Sequence, residues 1–155
     1  MQTVHYDVVV VGGGPAGLAA ALAARKRQVS VAVIERNGEL GGILEQCIHA
    51  GFGLHHFKEE LTGPEYAERF IDQLAGKDIA VYLDTMVLNI THGEAGQTVQ
   101  AMNEKGMMIF TAEAVTAETV SEAREKSAQK ISELAENARS RHEERRNKRE
   151  AAKAH

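Results

Sequence analysis

Three glycines spaced Gly12-x-Gly14-x-x-Gly17, a glutamate at position 35 and a glycine pair at Gly41 and Gly42 are the residues best suited to a defined chemistry. Gly12 permits a sharp turn out of a strand, Gly14 lets the backbone approach a pyrophosphate, and Gly17 lets a helix lie close to a sheet. Phosphate oxygens then rest on unpaired helix N–H groups and the positive end of the helix dipole. Pro15 and Ala16 would open that helix and belong to the same contact set. Glu35 lies 18 residues beyond Gly17, close to the spacing of about 20 expected of an acid that accepts ribose hydroxyls and repels a 2′-phosphate. No Gly-Lys-Ser/Thr follows, so the pattern is not a P-loop. The alternative is a glycine-rich turn without a ligand, and the surrounding elements argue against it.

Those elements are legible from apolar spacing. Tyr6–Val11 is a near-continuous β-branched run that suits a strand buried on both faces. Ala16–Gln28 is rich in Ala and Leu and ends in Arg25, Lys26 and Arg27, which suit the negative end of a helix. Val29–Glu35 reads as a second buried strand, completing a βαβ unit. Arg36–Phe57 reads as an extended loop holding at most a short helix, and Gly63-Pro64-Glu65 starts a helix with Tyr66, Phe70, Ile71 and Leu74 on its apolar face. Ile79–Leu83 is expected to be a third parallel strand. Met86–Ile90, Thr98–Met102 and Met107–Thr111 are expected to form a small antiparallel meander. From residue 113 onward there is no Gly, Pro or aromatic residue, and a charged helix with an apolar seam through Val120, Ile131 and Leu134 is expected. The reading is an α/β, Rossmann-like dinucleotide-binding fold, with a parallel sheet and a small antiparallel meander, over residues 1–112 and a charged helical tail over 113–155.

Composition narrows the chemistry. Residues 1–120 carry 8 Lys/Arg against 15 Asp/Glu, whereas residues 121–155 carry 10 against 7, so an acidic body precedes a basic tail. The tail interleaves its cations with Glu143, Glu144 and Glu150 and has no aromatic residue for stacking, so a charged helix in water is preferred to nucleic-acid binding. Cys47 is the single cysteine, which excludes an intrachain disulfide and points to a reducing, cytoplasmic setting. No run of about 18 apolar residues is present, so no membrane span is expected, and the apolar run after Asp7 has no basic segment before it that would mark a signal peptide. Cys47 and His49 are the candidate catalytic groups, as a thiolate and as a proton donor; an inert buried thiol and a loop histidine are the competing readings. His55 and His56 are adjacent, point apart and have no partner at metal-ligand spacing, so no metal is expected.

Glu35-Arg36 followed by Gly41-Gly42 resembles an FAD-binding pattern, and several blocks extend the likeness. YDVVVVGGGPAGLAAALAARK, VIERNGELGGILEQCIHAGFGLHHF and ELTGPEYAERF resemble the FAD-dependent pyridine-nucleotide oxidoreductases, the superfamily of thioredoxin reductase and glutathione reductase. Within it, the sequence is similar to a branch associated with bacterial glycerol 3-phosphate metabolism. The resemblance covers about residues 6–112. It implies that Gly12, Gly14 and Gly17 hold the pyrophosphate, Glu35 the adenosine ribose, and that Arg36, Gly41 and Gly42 lie along the cofactor. Val87 would sit where the family's meander meets the adenine.

The implied activity is that of the flavin-binding portion of an FAD-dependent, NAD(P)H-linked oxidoreductase acting on a small redox substrate. Disulfide reductases of the superfamily use two cysteines near the flavin, and Cys47 has no second, which excludes a dithiol relay. The resemblance also implies a strand returning to the sheet, a second glycine-rich domain for NAD(P)H and a further FAD-contacting segment. At Glu113-Ala114-Val115 the charged helix is expected in place of the returning strand, as in a truncated or rearranged version of such a chain. The alternative is a non-catalytic dinucleotide-binding module, joined to a protein partner through the tail helix. A purely structural interaction protein and an NAD-only Rossmann enzyme are further, weaker readings.

Overall fold

A computed structural model describes residues 2–93 and 96–117. The expected tail helix from residue 118 onward lies outside the described residues.

Strand β1 (Gln2–Val11) carries the β-branched run, and Val8, Val9 and Val10 are each no more than 2% exposed. Helix α1 (Pro15–Arg25) follows at once, with Pro15 in its first turn, where a missing N–H costs nothing. Leu18, Ala20, Ala21, Leu22 and Ala24 bury its inner face, and the small side chains bring the helix axis close to the sheet. Strand β2 (Val31–Ile34) is buried throughout and pairs in parallel with β1. A one-turn 3-10 helix (Gly42–Gln46) and a short antiparallel ladder, β3 (Ala50–Phe52) with β4 (Leu61–Thr62), occupy the stretch expected to be mainly loop.

Helix α2 (Gly63–Leu74) begins where the sequence places it. The Thr62 N–H and hydroxyl both donate to Glu65 Oε2, at 2.8 and 2.7 Å, so the first turn is closed by its own side chains. Those two bonds hold the Glu65 carboxyl below its usual value, the backbone bond contributing most. Phe70 and Leu74 pack from α2 into the same core as α1, with Tyr66 and Phe57 half-buried against it. Strand β5 (Ile79–Tyr82) then pairs in parallel with β2.

Three strands complete the sheet: β6 (Met86–Gly93), β7 (Gly96–Asn103) and β8 (Gly106–Ala117). The six main strands lie in the order β5-β2-β1-β8-β7-β6. Strand β8 corrects the expectation of a helix from residue 113. Its first half pairs antiparallel with β7, and Met108–Ala117 pairs in parallel with β1, ending with Val11 opposite Ala117. The last meander strand is therefore also the returning strand that the sequence reading held to be missing. Ala112, Glu113 and Ala114 are all buried there.

Two apolar layers result. One lies between the sheet and the helices and contains Val8, Val10, Leu18, Val31, Val33, Phe70 and Leu74. The other fills the opposite face, where Val9, Ala32 and Ile34 meet Val99, Ala101, Met108 and Phe110 of the meander. The sheet curls enough to place the Tyr82 ring 4.8 Å from that of Phe110, although two strands separate them in sheet order. Tyr6 and Tyr82 share a 2.8 Å hydrogen bond across β2. Burial first, and that bond second, push the Tyr6 phenol up to about 12.

Candidate functional site

The parallel strands end together at a glycine turn. Gly12 has φ 104°, a left-handed conformation natural to glycine, and its N–H donates to Ile34 O at 2.8 Å. A Cβ on Gly17 would sit 1.9 Å from Gly12 O, so close approach of α1 to the turn demands glycine there. No side chain caps the α1 N-terminus and its first turn carries no acid. The helix's own first turn therefore leaves its N–H groups open, a condition under which such a terminus attracts an anion.

Glu35 lies one residue past β2 and is 5% exposed. Its Oε2 accepts the Gly13 N–H at 2.7 Å and its Oε1 accepts the Asn37 N–H at 2.8 Å. The carboxylate thus ties the glycine turn to the loop after β2. Because an ionised carboxylate offers about four acceptor sites, two bonds leave capacity for hydroxyl donors. Backbone bonds extend this arrangement: Glu35 N–H to Tyr82 O at 2.8 Å, Thr85 N–H to Glu35 O at 2.9 Å, and Asp84 N–H to Asn37 O at 3.0 Å. They fix the start of β6 beside the glutamate, and Val87 stands half-buried two residues beyond Thr85.

The glycine pair closes over the turn. Gly41 N–H donates to Gly13 O at 2.9 Å, and a Cβ on Gly42 would lie 3.0 Å from the Gly14 Cα. Gly41 (φ 110°) and Gly42 (φ 58°) both hold left-handed backbone, which suits glycine at each. An open cleft of about 690 Å³ adjoins them, lined by Asn37, Gly38, Glu39, Gly42, Glu45 and Gln46. Arg36 is exposed at its neighbouring loop position. Gly12, Gly14, Pro15, Ala16, Gly17, Glu35, Gly41 and Gly42 are therefore gathered at one end of the sheet.

Sequence reasoning missed Gly13, Asn37 and Leu40. A Cβ on Gly13 would meet Leu40 Cδ2 at 2.4 Å and Glu35 Oε2 at 3.1 Å, so a larger residue there would displace the side chains packed on the turn. The run of three glycines was the available signal, because the motif itself leaves that position free.

The candidate catalytic groups lie farther along the loop. Cys47 is half-buried, its carbonyl accepts the Gly63 N–H at 2.8 Å, and a Cβ on Gly63 would fall 2.7 Å from the cysteine Cβ. The backbone and Cβ of Cys47 thus lie against the start of α2. His49 is exposed, 3.0 Å from Ala50 O through Nδ1, and its ring lies 5.3 Å from that of Phe52. His56 stacks on Phe70 at 5.3 Å and meets Phe57 edge-on at 4.6 Å, so it belongs to the aromatic group on α2. Among the described residues no group of three or more His, Cys, Asp or Glu is placed to hold a metal, and no helix is long and apolar enough to cross a membrane.

Comparison with known proteins places this arrangement. The ferredoxin–NADP reductase of Streptococcus gordonii is 39% identical over 105 residues, covering 64% of this chain and 31% of that protein. The soluble pyridine nucleotide transhydrogenase of a Marinomonas species is 53% identical over 51 residues, or 33% of this chain and 10% of its own length. Among solved structures, L-proline dehydrogenase from P. horikoshii superposes with a TM-score of 0.67 at 27% identity, over 76% of this chain and 23% of that one. Thioredoxin reductase from T. acidophilum gives 0.62 at 26% identity, over 73% and 34%. The chain thus spans about a third or less of the length of each of these proteins. The FAD dependent oxidoreductase family matches over residues 7–142, through the strand that returns to β1, and the chain belongs to that family.

Proposed function

We propose that the described residues form the flavin-binding portion of an NAD(P)H-linked oxidoreductase, holding FAD by its adenosine diphosphate half. The observation that carries this reading is the buried Glu35 carboxylate, bonded to the glycine turn and set beside an uncapped helix N-terminus.

The residues present fit the group. A pyrophosphate needs backbone without side chains and a positive helix end, and Gly12, Gly14, Pro15, Ala16 and Gly17 provide both. The Glu35 carboxylate would accept the adenosine ribose hydroxyls with its remaining lone pairs and, being anionic, would oppose a 2′-phosphate. Gly41, Gly42 and Arg36 would lie along the bound cofactor, and Val87 would border the adenine. When bound, FAD supplies two-electron chemistry, taking up a hydride and passing electrons to an acceptor. The chain's own part is positional: it anchors the diphosphate, orients the ribose and fixes the turn by the Glu35 bonds to Gly13 and Asn37. Cys47 and His49 are the chain's candidates for a thiolate and for a proton donor.

The quoted sequence blocks support the branch associated with glycerol 3-phosphate metabolism, and the single cysteine supports a reducing, cytoplasmic setting. The apolar seam through Val120, Ile131 and Leu134 supports a protein partner for the tail.

Fluorescence titration tests the reading. FAD binding should saturate at one equivalent and be displaced by ADP. Displacement by riboflavin but not by ADP would overturn it. NADH-dependent bleaching of the bound flavin would then separate an oxidoreductase portion from a module that only binds.

A further inference from the structure

A row of methionines lies apart from the dinucleotide site. Met86 pairs with Met102 and Met102 pairs with Met107, so three adjacent strands carry a thioether at the same level. Directly opposed residues project to the same face of a sheet. That face is the outer one, since Met86, Met102 and Met107 are 54%, 46% and 38% exposed. Met108, one residue on, points to the other face. It is 7% exposed in the core, and its sulfur accepts a 3.4 Å bond from Asn103 Nδ2. Three of the chain's five methionines therefore stand side by side in the open.

We infer that Met86, Met102 and Met107 form an oxidative modification site whose co-substrate is a hydroperoxide. A thioether is oxidised through its sulfur lone pair, and access governs which residues react. In each step the sulfur attacks one peroxide oxygen, a sulfur–oxygen bond forms and the O–O bond breaks. The sulfur loses two electrons, the peroxide gains them, and the second oxygen takes up the transferred proton and leaves as water from hydrogen peroxide or as an alcohol from an organic hydroperoxide. The product is a sulfoxide that methionine sulfoxide reductases can reverse. Its oxygen points to solvent, while the inward neighbours Ala101 and Met108 keep their contacts. Oxidation thus turns an apolar strip of the meander polar and leaves the core beneath it intact.

Peptide mass mapping of the full chain during exposure to dilute hydrogen peroxide tests this, and mapping also separates any reaction at Cys47. Met86, Met102 and Met107 should each gain one oxygen at least about tenfold faster than Met108, with the difference lost in guanidinium chloride. Met108→Leu should leave that uptake unchanged, and the triple Met→Leu variant should abolish fast oxygen uptake in the peptides spanning residues 86–108 while keeping its far-UV circular dichroism. Oxidation of Met108 as fast as Met107 in the folded chain, or of any row member as slowly as Met108, would overturn the assignment.

Discussion

At the scale of the residue, Glu35 serves structure and ligand at once. Both oxygens already accept backbone N–H groups, from Gly13 and Asn37, so a change of charge is also a change of fold. In Glu35→Gln the single amide oxygen can serve only one of these donors, and the other faces an NH₂ group. A buried donor left unsatisfied costs about 1–3 kcal/mol, so thermal melts should show that loss together with weaker FAD binding. Gly17→Ala acts through shape instead. Its Cβ would meet Gly12 O at 1.9 Å, which forces α1 outward at a cost of about 1–3 kcal/mol, as expected for overpacking, and it should lower FAD affinity in the same titration. The acid and the three motif glycines were legible because each answers a fixed chemical demand at a fixed spacing. Asn37 and Leu40 were not, because one contributes a backbone N–H and the other ordinary packing, and neither leaves a distinctive residue type.

At the scale of the element, β8 is where local composition and tertiary pairing disagree. Glu113-Ala114-Val115 reads as the start of a helix, since Ala and Glu favour helices and are frequent in the residues that follow. The ladder to β1 outweighs that weak preference. Ala114→Glu separates the two readings: a surface helix would tolerate it, whereas a strand residue 2% exposed should not, and loss of the cooperative urea transition is the expected outcome. The start of β1 was missed similarly, because Gln2–His5 join the sheet only through Met108–Thr111 of β8. Helix α2 was read well, its Pro64 and apolar stripe being local signals. Its cap also carries a pH dependence. Glu65 has a folded-state value below its unfolded one, so its stabilisation is present above the ordinary glutamate range and is lost as pH falls through the lowered value. Glu65→Gln should flatten the acid limb of a stability–pH curve. Tyr6 works in the opposite direction: its phenol is raised to about 12, so its contribution is full below pH 10 and lost between about 10 and 12. Tyr6→Phe should reduce that alkaline loss.

At the scale of the whole molecule, one parallel sheet carries both the site and its support. The glycine turn, Glu35 and the last residue of β8 lie at the same end of adjacent strands, the position at which open α/β sheets hold ligands. The helices cover one face and the curled meander the other, so Val8–Val10 should show the slowest amide exchange in the chain. The most direct test of the central claim, that this sheet end grips FAD by its adenosine diphosphate, is the visible spectrum of purified protein after mixing with excess FAD, or separately FMN, and desalting. Flavin bands should co-elute near one equivalent with FAD, be absent with FMN, and disappear in Gly14→Ala combined with Glu35→Ala. Retention of FMN as readily as FAD, or of FAD by that double variant, would contradict the account.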